Sequence, residues 1–81
     1  MLTGNQIRVA RFALRWSTEE LSKIADVSVR TLKRIEAENG VPTASAQSLH
    51  SLQTALEAAG IEFIGTPTDR PGIRIGLPKT S

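Results

Sequence analysis

The residues best suited to chemistry are three cations in one short stretch. Arg30, Lys33 and Arg34 lie in Ser28 to Glu36, SVRTLKRIE, where Glu36 is the single acid. At helical spacing Arg30 and Arg34 are i, i+4 neighbours on one face, opposite Leu32 and Ile35. A guanidinium forks well onto O6 and N7 of guanine, and a valine packs on a thymine methyl. A charge run is more commonly a solvated helix face. The context favours nucleic acid. Ser17 to Glu36, STEELSKIADVSVRTLKRIE, reads as two short helices joined by a tight turn. That arrangement lays one helix into a DNA major groove, with side chains reaching base edges.

Other chemistry finds little footing. His50 is the only histidine and there is no cysteine, so a zinc site is not expected. There is no carboxylate pair, G-x-S-x-G or phosphate-loop motif, and Gly65, Gly72 and Gly76 belong to turn and strand rather than to a glycine-rich cradle. The expectation is a non-enzyme without metal or cofactor.

The elements that must position these cations can be read from caps and periodicity. Thr3 with Gln6 has capping-box spacing, and Ile7, Ala10 and Leu14 follow at helical intervals, predicting a first helix from about Gly4 to Arg15. Ser17 with Glu20 repeats the signal, and Leu21, Ile24 and Ala25 give the expected buried stripe of a second helix. Asp26 and Val27 make the turn, and Ser28 is the next N-cap, with Leu32 and Ile35 facing inward. Asn39-Gly40 is expected to end the third helix, since both residue types tolerate a left-handed C-cap. Thr43 or Ser45 starts a fourth, carried by Leu49, Leu52, Leu56 and Ala59 and stopped by Gly60. The tail then changes period. Ile61, Phe63 and Ile64 form one apolar run, and Ile73, Ile75 and Leu77 alternate with Arg74 and Gly76. With GTPTDRPG between them as a loop, this predicts a hairpin.

Length and composition fit a small globular chain. At 81 residues, 40% hydrophobic and with only Phe12, Trp16 and Phe63 aromatic, the core is small enough for oligomerisation to help it. Net charge is only +2, so distribution matters more than total: Arg8, Arg11 and Arg15 lie on the first helix and Arg30, Lys33 and Arg34 on the third. The start, MLTGNQIRVAR, has no apolar h-region, and no stretch approaches the roughly 20 apolar residues of a membrane span. A cytoplasmic location without membrane contact is expected, which the absence of cysteine permits.

The pattern IRVARFALRWSTEELSKIADVSVRTLKRIEAENGVP resembles the Xre-type helix-turn-helix domain, the phage lambda repressor and Cro-like class, over about Gln6 to Leu56. Its most specific pieces are the EEL of helix two, the VS before helix three, and TLKRIE closing on a Glu before Asn-Gly. The ending GIEFI…PGIRI is similar to the tail of short stand-alone Xre proteins common in alphaproteobacteria. Three positions depart from the family: Thr18 replaces a phosphate-touching Gln, Ser22 a small Ala, and Asp26 the turn glycine. The resemblance implies a mainly α fold, a four-helix lambda-repressor-like DNA-binding domain over 1–60, with a C-terminal β-hairpin or tail over 61–81.

It also implies roles. Val29, Arg30 and Arg34 match positions that reach base edges. Thr18, Ser28 and Lys33 match or adjoin phosphate contacts, Thr31 serves a base or a phosphate, and Asn39 lies in a loop that approaches the backbone. Arg11 and Glu36 match a structural ion pair between helix one and the end of helix three. Trp16 reads as a core or lid residue at the corner of helices one and two. The expected function is sequence-specific transcriptional regulation, as a repressor on a pseudo-palindromic operator. Double-stranded DNA is the partner, and a homodimer is needed because one such domain reads only a few base pairs. The tail residues Ile61, Phe63, Ile73, Ile75 and Leu77 are expected to build much of the dimer interface, the alternative being a hairpin that seals its own bundle. A different class remains open: a protein-binding module, antiactivator or antitoxin, which would be expected to show acidic or apolar residues where helix three shows cations.

Overall fold

The computed structural model describes residues 2–76. Four helices are followed by a two-stranded antiparallel hairpin: α1 Gly4–Ala13, α2 Thr18–Ala25, α3 Val29–Glu36, α4 Ala46–Ala58, β1 Ile61–Thr66 and β2 Asp69–Ile75. The chain is mainly α, as the capping and periodicity predict. Each helix starts where a hydroxyl can take an orphan amide: Thr3, Ser17, Ser28 and Ser45 accept from the backbone N–H three residues on. Thr3–Gln6 and Ser17–Glu20 form complete capping boxes. Of the two candidates for α4, it is Ser45 that caps.

The helix ends differ more from expectation. α1 stops at Ala13 because Arg15 is left-handed (φ 59), letting Trp16 N–H reach Arg11 O and Arg15 N–H reach Phe12 O. This is a Schellman closure with arginine where glycine is usual. α3 ends at Ala37 in right-handed geometry, and neither Asn39 nor Gly40 has positive φ. The Asn-Gly pair therefore does not cap the helix. Instead the Gly40 carbonyl accepts from Gly4 N–H at 2.9 Å, drawing the loop onto the start of α1. Gly60 (φ 103) terminates α4 as predicted.

Ile7, Ala10, Leu21, Ala25, Val27, Leu32, Ile35, Leu49, Leu52 and Leu56 form the core, joined by Leu2 and Ile61. Ile24, expected in the buried stripe, is 54% exposed. The seam of α2 runs between Leu21 and Ala25, and at about 100° per residue Ile24 falls roughly 80° away from it.

The hairpin completes this core. Its register pairs Ile61 with Ile75, Phe63 with Ile73 and Thr66 with Asp69, so the eight-residue loop expected over 65–72 shrinks to Pro67-Thr68. An irregularity between Ile64 and Thr66 makes this possible, with Gly65 at φ 78 and Arg70 at φ 47. Gln6, buried on α1, donates from Nε2 to the carbonyls of Ile64 (3.1 Å) and Gly72 (2.9 Å). One amide thus pins both strands to the first helix. Among the described residues, no helix is long and apolar enough to cross a membrane.

Candidate nucleic-acid interface

The turn between α2 and α3 rests on one left-handed residue and two hydrogen bonds. Asp26 takes the left-handed conformation (φ 56) in place of a glycine, Val27 N–H donates to Ser22 O, and the Ser22 hydroxyl donates to Val27 O. Asp is among the residues that enter this region with least strain. The Ser22 hydroxyl is satisfied by the turn it helps to hold. Val27, buried between them, anchors the corner.

This turn presents α3 with its inner face locked and its outer face open. Leu32 and Ile35 have no exposed surface, whereas Arg30, Lys33 and Arg34 are exposed. Among the described residues none of these three cations forms an ion pair. At the start of the helix Val29 is half-buried. The Ser28 oxygen accepts from Thr31 N–H at 3.1 Å, and its hydroxyl donates to Thr31 Oγ1 at 2.9 Å. Thr31 therefore keeps its own hydroxyl proton for an outside acceptor.

The far end of α3 is held by two arginines of α1. Arg11 forks onto Glu36, with Nε to Oε2 and Nη2 to Oε1 both at 2.8 Å, and its Nη1 donates to Trp16 O at 2.8 Å. The two side chains are only 11% and 7% exposed. The hydrogen bond to Glu36 raises the Arg11 pKa above its ordinary value, burial opposes this, and the nearby Glu36 and Glu19 charges add to the rise. The Phe12 ring lies 4.6 Å from the guanidinium carbon and covers one side of it. Arg8 donates to the Glu36 carbonyl (3.0 Å), to Asn5 Oδ1 (2.6 Å) and to Asn39 Oδ1 (3.4 Å). It satisfies a terminal carbonyl of the helix and turns the Asn39 amide so that its nitrogen is free to donate. Arg11 thus pairs with Glu36 as expected, and Arg8, counted in sequence with the basic residues of the first helix, is also engaged inside the chain. The exposed cations of α3 are Arg30, Lys33 and Arg34, and Arg15, just after α1, is exposed as well.

The start of α2 is less hospitable to an anion than expected. The half-buried Thr18 donates its hydroxyl to Glu19 Oε1 at 3.1 Å, and Glu20 occupies the Ser17 N–H. The Glu19 carboxyl is held below the ordinary carboxylate range by its own backbone N–H, then by the Thr18 hydroxyl, with the Lys33 and Arg11 charges adding. A phosphate contact at Thr18 requires this exposed carboxylate to swing aside.

The remaining expected residues separate. Ile61 is 3% exposed in the chain's own core, and Phe63 and Ile73 are half-buried and packed against it. Ile75 is 64% exposed, and Leu77 lies outside the described residues. The hairpin's apolar face is therefore used largely within the chain. Trp16 packs half-buried against the core at the α1–α2 corner, and His50 is exposed on α4. No group of three His, Cys, Asp or Glu that could hold a metal occurs among the described residues.

Sequence reasoning missed what Gln6, Arg8, Ser22 and Phe12 do. Gln6 carried a signal only as a capping partner, Ser22 only as a departure from the family pattern and Arg8 only as a basic residue. Nothing local marked Phe12 as the ring beside Arg11. Comparison with family models, with curated proteins and with solved structures found no match to this chain.

Proposed function

We propose that this chain is a sequence-specific DNA-binding regulator of transcription that reads bases with α3 in a lambda-repressor-like, Xre-class arrangement. The observation that carries the reading is the division of labour on α3. Every group that fixes the helix lies on its inner side or at its ends, and the outer face offers Arg30, Lys33 and Arg34 unpaired within the described residues. Arg30 and Arg34 are placed for bidentate contact with guanine, Val29 for a thymine methyl, and Lys33, Ser28 and Thr31 for the flanking phosphates. Asn39, aimed by Arg8, offers an amide donor at the far end of the helix.

Eight residues of helix span too few base pairs for a unique address, so the chain acts as a homodimer on a pseudo-palindrome with half-sites about one helical turn apart. Among the described residues the exposed Ile75 and the open outer edges of the hairpin offer one surface for that pairing. The role is repression by occupancy of the operator, in the cytoplasm where the DNA lies. Selection from a randomised duplex pool by the purified chain tests the reading. The expected result is enrichment of a two-fold-related motif; a pool that remains random after repeated rounds overturns it.

A further inference from the structure

Three non-glycine residues have left-handed backbones among the described residues: Arg15, Asp26 and Arg70. Two have local reasons. Asp tolerates this region, and Arg70 sets its guanidinium on the neighbouring Asp69 carboxylate at 3.1 Å. Arg15 has neither. Its position closes α1, where glycine would serve without a Cβ penalty. Its side chain is exposed and makes no ion pair among the described residues. Arginine is strained here, and its side chain makes no hydrogen bond or ion pair among the described residues to offset this.

Its location supplies the reason. The next residue, Trp16, gives its carbonyl to Arg11, and the same guanidinium grips Glu36 at the end of α3. Arg15 therefore directly precedes the residue that Arg11 links to the end of the helix displaying Arg30, Lys33 and Arg34, with Lys33 one turn before Glu36. Strained residues kept in place by the surrounding fold concentrate where the strain serves binding. We infer that Arg15 is a DNA-phosphate contact, extending the interface from α3 onto the α1–α2 corner. This rests on the reading of α3 as the DNA-facing helix. Because a phosphate is present at every step of the duplex, the contact adds affinity for all sequences and no base preference.

The test compares the full chain with Arg15→Gly and Arg15→Lys, titrating the selected duplex and a scrambled one over a salt series, with thermal unfolding alongside. Arg15→Gly is expected to melt at a higher temperature than the parent, because the strain is relieved. It should also bind both duplexes about fivefold to tenfold more weakly near 0.1 M salt, with the salt slope reduced by about 0.9. Arg15→Lys is expected to retain most of the parent affinity and slope. An Arg15→Gly chain with unchanged affinity and slope overturns the inference while leaving α3 as reader. A lowered melting temperature overturns it too, by showing that the side chain serves folding. A parent chain that binds neither duplex overturns the reading of α3 and this inference together.

Discussion

Arg11 and Glu36 should be strongly coupled, and the structure allows the size of the effect to be worked out. Arg11→Ala removes both donors from a carboxylate that is only 7% exposed, and frees the Trp16 carbonyl as well. Leaving one member of a buried pair uncompensated costs about 3–5 kcal/mol, and 11% exposure of the arginine puts this pair near the lower end. A chain of this size has roughly 4–12 kcal/mol of total stability, so a loss of about 3 is a large share of it. In a melt it corresponds to a fall of about 12–24 °C. Glu36→Ala should cost a similar amount, and the double variant much less than the sum, giving a coupling energy of about 2 kcal/mol. The pH sign is also fixed. Raising the Arg11 pKa in the folded state gives stability that is present below the ordinary arginine value and lost only as pH rises through the folded value. The Arg11 contribution should therefore be flat across neutral pH. Urea unfolding of the four chains is the assay. A coupling within about 0.5 kcal/mol of zero would refute the view that this pair fixes the end of α3.

Gly4→Ala should destabilise the chain by about 2 kcal/mol, because the added Cβ would overlap the carbonyl oxygens of Ile35 and Glu38; urea unfolding measures it, and a neutral result would mean that α1 and the end of α3 do not meet so closely. Gln6→Ala should cost about 1–3 kcal/mol by stranding the Ile64 and Gly72 carbonyls, and should speed amide exchange in the hairpin before it does so in α4. Ile75→Asp should leave the melting curve of the monomer nearly unchanged while shifting mass in light scattering from dimer to monomer; an undiminished dimer would place the twofold elsewhere.

Local rules carried most of the fold. Thr3, Ser17, Ser28 and Ser45 start the helices because a hydroxyl three residues before an orphan amide is a short-range interaction, visible in sequence. Gly60 and the alternation of Ile73 and Ile75 are legible for the same reason. Positions decided by distant partners were not. The loop over 65–72 is full of turn residues, but Gln6, far away in the chain, holds the two carbonyls that let the strands run on to Thr66 and Asp69. The Arg11–Glu36 pair is present as the family resemblance implied, whereas Arg8 looks like its exposed neighbours in sequence and only the approach of α1 to Glu36 turns it inward. In the candidate site, the outward set on α3 was legible from its 3.6-residue period. The competition of Glu19 for Thr18 was not, since it depends on a rotamer.

If Arg30 and Arg34 on α3 read bases while Lys33 on the same helix grips the backbone, one measurement separates the two roles. The affinity of Arg34→Ala and of Lys33→Ala is measured on the selected duplex and on a scrambled duplex, each at several salt concentrations. For Arg34→Ala the ratio between the duplexes should fall by about 1–3 kcal/mol in free-energy terms. For Lys33→Ala the ratio should hold while both affinities drop and the salt slope falls by about one unit. An Arg34→Ala chain that keeps the full ratio would contradict the account of α3 as the reading helix.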